Sequence, residues 1–333
     1  MPRSKRINVA GGVYHVITRG IERREIFKDD TDRKEFLSRL TASLTKTKSK
    51  CFAWVLMPNH IHLMLRTGSE SLSDVMRGLL TGYAVYFNKR HKRQGYLYQN
   101  RYKSVLCQED SYFQELVRYI HLNPVRAKIV EGISGLDGYP WSGHAVIMGK
   151  YKNKWQSIDE VLAWFGHKSN EAMKKYREFI EGGIGRKPAI DFNGGGLVRS
   201  AGGWLELIRL RNSRQYQKAD ERILGDTEFV DKMLQEAEER ITRQEFLRRQ
   251  GWDLEKLTQK VCGVFNISAS DLRRKGKSNT ISRAKMLFCY WGHTELGLNG
   301  RQIGDYLGIS RQAVCNNIAK GAEFKEDQGK LTN

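Results

Sequence analysis

The sequence predicts an α+β chain, and three observations carry that expectation. Over the first 150 residues, short β-branched and aromatic runs alternate with helical periodicities in the order β-α-β-β-α-β-α. From Trp204 onward the pattern is almost entirely helical. No apolar run approaches the roughly 20 residues of a membrane span, and a hydrophobic fraction of 40% is that of a chain with a core to bury.

The elements follow in order. Residues 11–18 (GGVYHVIT) read as a first strand. Residues 30–46 place Phe36, Leu37, Leu40 and Leu44 at helical spacing. Residues 51–57 (CFAWVLM) are a second strand, Pro58-Asn59 a turn, and 60–66 (HIHLMLR) a third strand closing a hairpin. Residues 71–91 carry Leu72, Val75, Met76, Leu79, Leu80, Tyr83 and Phe87 on one helical stripe, so Tyr83 and its neighbour Tyr86 are expected in the core. Residues 96–106 are a fourth strand or extended segment, and 110–122 a helix stopped by Asn123-Pro124. This order is that of a ferredoxin-like split βαβ sheet with helices on one face and one added helix. The competing open α/β sheet is disfavoured by the shortness of the elements.

We expect an α+β domain over 1–150, a helical extension and linker over 151–203, a helical connector over 204–253, and a helical domain over 254–325. The segment 182–203 holds eight glycines and marks the linker. Its GxG spacings follow no strand, so no phosphate-cradling loop is expected there.

Charge points to a polyanion. The chain carries 57 Lys and Arg against 37 Asp and Glu, a net charge of +20. The excess is spread: 25 basic and 13 acidic residues in 1–150, then 32 and 24 in the remainder. Nucleic acid is the commonest partner of such a chain. The five cysteines are widely spaced without a CxxC, which argues against a zinc knuckle or a disulfide framework and for reduced, buried thiols. No apolar stretch follows the basic start, so no secretory signal and no membrane partner is expected, and the chain reads as cytoplasmic.

His60-Ile61-His62 lies on the third strand. Alternation sends both imidazoles to one face, where two side chains at i and i+2 can chelate one divalent ion. Ile61 would pack against the helices and the histidines would face the open side of the sheet. Lys89, Arg90, His91, Lys92, Arg93, Arg101 and Lys103 cluster in sequence around Tyr96, Tyr98 and Tyr102. Cations hold phosphates and rings stack unpaired bases, so this cluster is expected to bind single-stranded nucleic acid.

Three blocks, MPNHIHLMLR, YLYQNRYKSV and YIHLNPVRAKIV, with the trailing YPWSGHAVIMG, resemble the single-tyrosine HUH transposases, in the branch of REP-associated tyrosine transposases. The resemblance covers about residues 8–150. It implies that His60 and His62 hold a divalent metal, Mg2+ or Mn2+. It further implies that Tyr119 attacks a single-stranded DNA phosphate, leaving a 5′-phosphotyrosine link and a free 3′-OH. Asn123 stands where the family carries a polar side chain that can complete the metal site. His15 and His121 read as structural or DNA-facing, not as ligands.

In the C-terminal part, 299–320 (NGRQIGDYLGISRQAVCNNIAK) reads as helix, turn at Gly308, helix. Ile303, Tyr306, Leu307, Ile309, Val314 and Ile318 would pack two crossed helices. Ser310, Arg311, Gln312, Asn316 and Asn317 would be exposed, and Arg, Gln and Asn read base edges in a major groove. An ordinary helical hairpin is the alternative. From about 254 to 321 the chain resembles the DNA-binding domain of the bacterial replication initiator, but Ser310-Arg311-Gln312 replaces the initiator's Asp-His-Thr. Duplex binding carries over and sequence specificity does not; Arg273, Arg274, Lys275 and Lys277 would contact phosphates.

The combined expectation is a DNA transposase that nicks and joins single-stranded DNA beside hairpins. Two rivals fit the same residues: another HUH nicking enzyme (replication initiator or relaxase), and a catalytically silent relative acting as a DNA-binding regulator. A homodimer is compatible with either.

Overall fold

The structure is a computed structural model. It describes residues 7, 9, 11–68, 70–186, 220, 222–274, 279–321 and 331. Most of the glycine-rich segment, and residues 204–219 of the expected helical connector, lie outside the described residues.

Four strands form where the sequence places them: β1 (Val13–Arg19), β2 (Lys50–Met57), β3 (His60–Arg66) and β4 (Lys103–Cys107). Helix α1 (Asp30–Thr47) joins β1 to β2, α2 (Leu72–Arg90) joins β3 to β4, and α3 (Glu109–His121) follows β4. Asp29 and Ser71 cap α1 and α2 by accepting the amides of Asp32 and Asp74, each worth about 1 kcal/mol. The sheet order is β2-β3-β1-β4, antiparallel throughout, as the split βαβ connection requires.

A fifth strand, β5 (Ile223–Leu224), pairs parallel with β4. It is the one strand among the described residues beyond Trp204, which are otherwise helical in their regular elements. The helix expected at 110–122 ends at His121, and Asn123-Pro124 opens a further short helix, α4 (Asn123–Arg126), instead of only stopping the first. Proline is tolerated there because its missing N–H has no partner to lose in a first turn.

Helices cover both faces of the central strands, not one. His15, His62 and Met64 are buried on one face, while Ile61, Leu63 and Leu65 are buried on the other. Met64 and Val55 pack with Phe113, Leu116 and Val117 of α3, so the histidine face is not the open side. Arg66, at the end of β3, pairs with Glu109 at the start of α3 and with Glu160 at 3.1 Å. The same core continues through α5 (Gly132–Asp137), α6 (Gly143–Ile147), α7 (Ile158–Leu162) and α8 (Ser169–Glu181). The boundary expected at residue 150 therefore does not coincide with an edge of this core.

The chain divides into two units, 1–233 and 234–333. The second unit is helical among its described residues. Its core gathers Leu257, Val261, Leu287, Phe288, Trp291, Ile303, Leu307 and Val314, with Tyr306, Ile309 and Ile318 packed against it. The helices Gly300–Leu307 and Arg311–Gly321 are joined by a turn whose Gly308 has φ 65°, the left-handed conformation that ends a helix without a Cβ penalty. Cys51, Cys107, Cys289 and Cys315 are buried. No described helix is long and apolar enough to cross a membrane.

Candidate active site

The hairpin turn sets His60. Met57 pairs with His60, leaving Pro58-Asn59 as the loop. The segment after β1 clamps this loop: the Gly20 amide donates to the Asn59 carbonyl at 2.8 Å and the Ile26 amide to the Pro58 carbonyl at 2.8 Å. A Cβ on Gly20 would lie 2.1 Å from the Arg24 carbonyl oxygen, so only glycine fits. Asn59 Nδ2 donates to the Arg23 carbonyl at 3.0 Å, which turns its Oδ1 toward His60 Nδ1 at 2.6 Å. An amide oxygen only accepts, so His60 carries its proton on Nδ1 and its lone pair on Nε2.

The register of β1 against β3 sets the rest of the face. Arg19 opposes His60, Ile17 opposes His62, and His15 opposes Met64. On the other side of β1, Lys103 opposes Ile17. Directly opposed residues share a face, so Arg19, His60, His62, His15 and Lys103 converge. The His60 and His62 rings meet edge to face at 5.2 Å between centroids. His62 is 3% exposed, and its Nδ1 lies 2.9 Å from His15 Nε2.

Burial pushes the His60 imidazolium down to about 4, with the Arg19 cation adding to the effect. Burial, then His15 and His60, hold His62 well below the usual histidine range. Both rings are neutral at neutral pH, the state in which imidazole binds metal.

Tyr119 closes the site from α3. Its ring is 7% exposed and stands edge-on to His15 and His62, at 5.7 and 5.8 Å between centroids, within one chain. Arg126 lies 5.1 Å over the same ring and donates to the Tyr119 carbonyl at 3.1 Å. Asn123 donates through Nδ2 to the carbonyls of Tyr119 and Ile120, at 2.8 and 3.2 Å. Asn123 opens α4, and with Nδ2 engaged any ligand role falls to its Oδ1. The donor set on the sheet face is thus two neutral imidazoles. Among the described residues no cluster of three or more His, Cys, Asp or Glu could hold a metal alone. This set fits a cation that takes its remaining ligands from water and phosphate.

A buried chain of hydrogen bonds anchors the end of α3. His121 Nδ1 meets the Tyr176 hydroxyl at 2.8 Å, and that hydroxyl meets His144 Nδ1 at 2.8 Å. His144 Nε2 meets Asp137 at 2.8 Å, and Arg177 holds the other Asp137 oxygen at 3.0 Å. His121 is therefore structural and not DNA-facing. Burial holds His121 and His144 below the unfolded value of 6.5. Below pH 6.5 the unfolded chain takes up protons that the folded chain refuses. Their stabilising contribution is present above 6.5 and lost as pH falls, by about 1.4 kcal/mol per pH unit per histidine. The urea midpoint, measured in EDTA, is expected to drop clearly between about pH 7.5 and 5.5; an unchanged midpoint would contradict this.

The expected DNA-binding residues separate. Arg101 and Lys103 line a cavity of about 240 Å³ with Arg19, Gln99 and Asn100. A larger cleft of about 730 Å³ adjoins it, sharing Gln99, Asn100 and Arg101, with Met76, Leu80, Tyr96 and Tyr102 in its lining. Tyr96 is 83% exposed; Tyr102 is buried, so it offers no open face for stacking. Lys89 is exposed. Arg90 is bound by Asp29 at 2.7 Å and by the fully buried Asp32 at 2.5 Å, and His91 meets Asp32 at 2.8 Å, so both are engaged within the chain. Arg93 lies 5.7 Å over Phe87.

In the second unit Arg273 and Arg274 are exposed, and the Arg273 guanidinium stacks 4.4 Å over Tyr306. Lys275 and Lys277 lie outside the described residues. Arg311 and Gln312 open the last helix, but their side chains are outside the described set. Asn316 is exposed, whereas Asn317 turns inward to Cys289 at 3.9 Å. Arg19, Asn59 and Arg126 had no signal in the sequence, because register and turn geometry bring them to the site.

These residues can now be set beside known proteins. Residues 8–123 match the family model described as IS200-like transposases. That span holds His15, His60, His62, Tyr119 and Asn123. A solved structure of a REP-associated tyrosine transposase bound to a REP hairpin is similar over 46% of this chain and 89% of that one, at 20% identity and a TM-score of 0.38. No curated protein matches the chain.

Proposed function

We propose that the chain is a DNA transposase that cleaves and rejoins single-stranded DNA beside hairpins, with Tyr119 as nucleophile. One observation carries the reading: the Tyr119 ring packs edge-on against His62, within the span that matches IS200-like transposases. The Tyr119 hydroxyl oxygen forms a bond to the scissile phosphorus and the bond to the 3′-oxygen breaks. The phenolic proton passes to solvent and the departing 3′-oxygen takes one up. Because the phosphotyrosine ester conserves the bond, the reverse step rejoins DNA without ATP.

His60 and His62 would hold Mg2+ or Mn2+ through Nε2, with Asn123 Oδ1 as the third candidate. When bound, the ion supplies charge neutralisation and orientation at the phosphate. Arg126 and Asn123 tie the start of α4 to the backbone of Tyr119 and so fix the nucleophile. Arg19, Arg101 and Lys103 hold flanking phosphates, helped at longer range by Lys89 and Arg93. One chain suffices for the reaction, so a homodimer is not required.

The last two helices serve as a helix-turn-helix that grips duplex or hairpin stem. Arg311, Gln312 and Asn316 face bases while Arg273, Arg274 and Lys275 face phosphates. Cytoplasmic, nucleoid-associated work in a prokaryote follows from this reading.

The test is covalent capture. Labelled hairpin oligonucleotides from the DNA flanking the gene are incubated with the protein and Mn2+ or Mg2+. An SDS-resistant adduct that EDTA prevents is expected. Tight binding with no adduct on any flanking hairpin would replace this reading with that of a DNA-binding regulator.

A further inference from the structure

We propose that His15 is a positioning residue for His62: its Nε2 accepts the Nδ1 proton of His62 and holds the His62 Nε2 lone pair toward the site. The inference rests on the reading of His60 and His62 as ligands of a divalent cation.

The geometry is specific. His15 Nε2 and His62 Nδ1 are 2.9 Å apart, and the rings are stacked at 17° with centroids 5.2 Å apart. Two tautomeric arrangements satisfy that hydrogen bond. If His15 donates, the His62 proton sits on Nε2 and that atom cannot ligate. If His62 donates, its Nε2 carries the lone pair. A cation at His62 selects the second arrangement, and His15 is the group that receives the proton in it.

His60 carries the same device in another form. Its Nδ1 is held by Asn59 Oδ1 at 2.6 Å, and Asn59 is fixed in turn by the Arg23 carbonyl at 3.0 Å. Both histidines thus have Nδ1 engaged, His62 by His15 on the adjacent strand and His60 by Asn59 in the hairpin loop, leaving Nε2 to the site. Such partners fix the ring orientation of a ligand histidine and raise its basicity; their loss lowers metal affinity roughly 10- to 100-fold. His15 does more than set one ring. It is 1% exposed and its ring also meets Tyr119 edge-on at 5.7 Å, so it fills the corner between His62 and the nucleophile.

The test compares His15→Gln with His15→Met in the full chain. Glutamine can still accept a hydrogen bond near the position of Nε2; methionine keeps bulk without the bond. Mn2+ affinity is read by electron paramagnetic resonance in the absence of DNA, with thermal unfolding alongside. The expected result is a loss of about 10- to 100-fold in affinity for His15→Met, with His15→Gln within about threefold of the parent. A purely structural role would lower the unfolding temperature of both variants and leave Mn2+ affinity unchanged; that outcome overturns the inference.

The parent protein gives a second readout that needs no variant to fold. With Mg2+ bound, a nitrogen–nitrogen coupling across the His62 Nδ1–H to His15 Nε2 hydrogen bond is expected, and its absence would overturn the inference. Two failures are distinguishable. If His60→Ala abolishes Mn2+ binding and His15→Met does not weaken it, only the role of His15 falls. If the parent binds no Mn2+, the cation site falls and the role of His15 with it.

Discussion

Tyr119→Phe is expected to abolish the covalent protein–DNA adduct while leaving hairpin binding within about threefold. The substitution removes one oxygen and keeps the ring, so the edge-on contacts with His15 and His62 and the Arg126 stacking persist. The backbone carbonyl that receives Asn123 and Arg126 is untouched. DNA affinity should come from cations at the site rim, among them Arg19, Arg101 and Lys103, none of which is altered. Tyr83 cannot substitute, because it is fully buried in the α2 core and gives its hydroxyl to the Ile26 carbonyl at 2.6 Å. The measurement is denaturing electrophoresis of labelled hairpin beside a binding isotherm at fixed salt. An adduct surviving in Tyr119→Phe would contradict the assignment.

Tyr176→Phe carries the second large effect, on stability. The Tyr176 hydroxyl is the shared partner of His121 and His144, and all three residues are fully buried. Removing it leaves two buried imidazole nitrogens without that partner, at about 1–3 kcal/mol each before relaxation. We expect a loss of about 2–4 kcal/mol, or roughly 5–15 °C in unfolding temperature. Because the chain of bonds ends on the last residue of α3, two positions past Tyr119, adduct formation should slow as well. Calorimetry checks the first effect. A shift below about 2 °C would show that the network contributes little.

Much of the N-terminal half was legible because its core patterns are strong. The stripe from Leu72 to Phe87 and the alternation of β3 each match one period only, and they fold accordingly. The fourth strand begins late, at Lys103; the segment before it meets the end of β1 only through a Tyr98 bridge to Gly20 and the Gln99 amide on the Arg19 carbonyl at 3.0 Å. Alternation shows that His60 and His62 share a face, but not which face α3 covers, since periodicity within one strand says nothing of what packs on it.

Other features depend on pairings that no local pattern encodes. The two-residue β5 is too short to carry a period, and it forms only because β4 offers an edge. His15 reaches His62 through the β1–β3 register. Asn59 reads as a turn residue, and its second role appears only once Arg23 is seen to hold its amide. Arg90, one more cation in a basic run, proves to belong to Asp29 and Asp32, which lie 58 and more residues earlier.

The central claim is that Tyr119 joins DNA through its oxygen. The most direct measurement is mass spectrometry of the adduct after protease and nuclease digestion. We expect the nucleotide 5′-phosphate on a peptide containing Tyr119, on that side chain, and only when Mn2+ or Mg2+ was present. A nucleotide found on any other residue, or an adduct that forms equally in EDTA, would contradict the account.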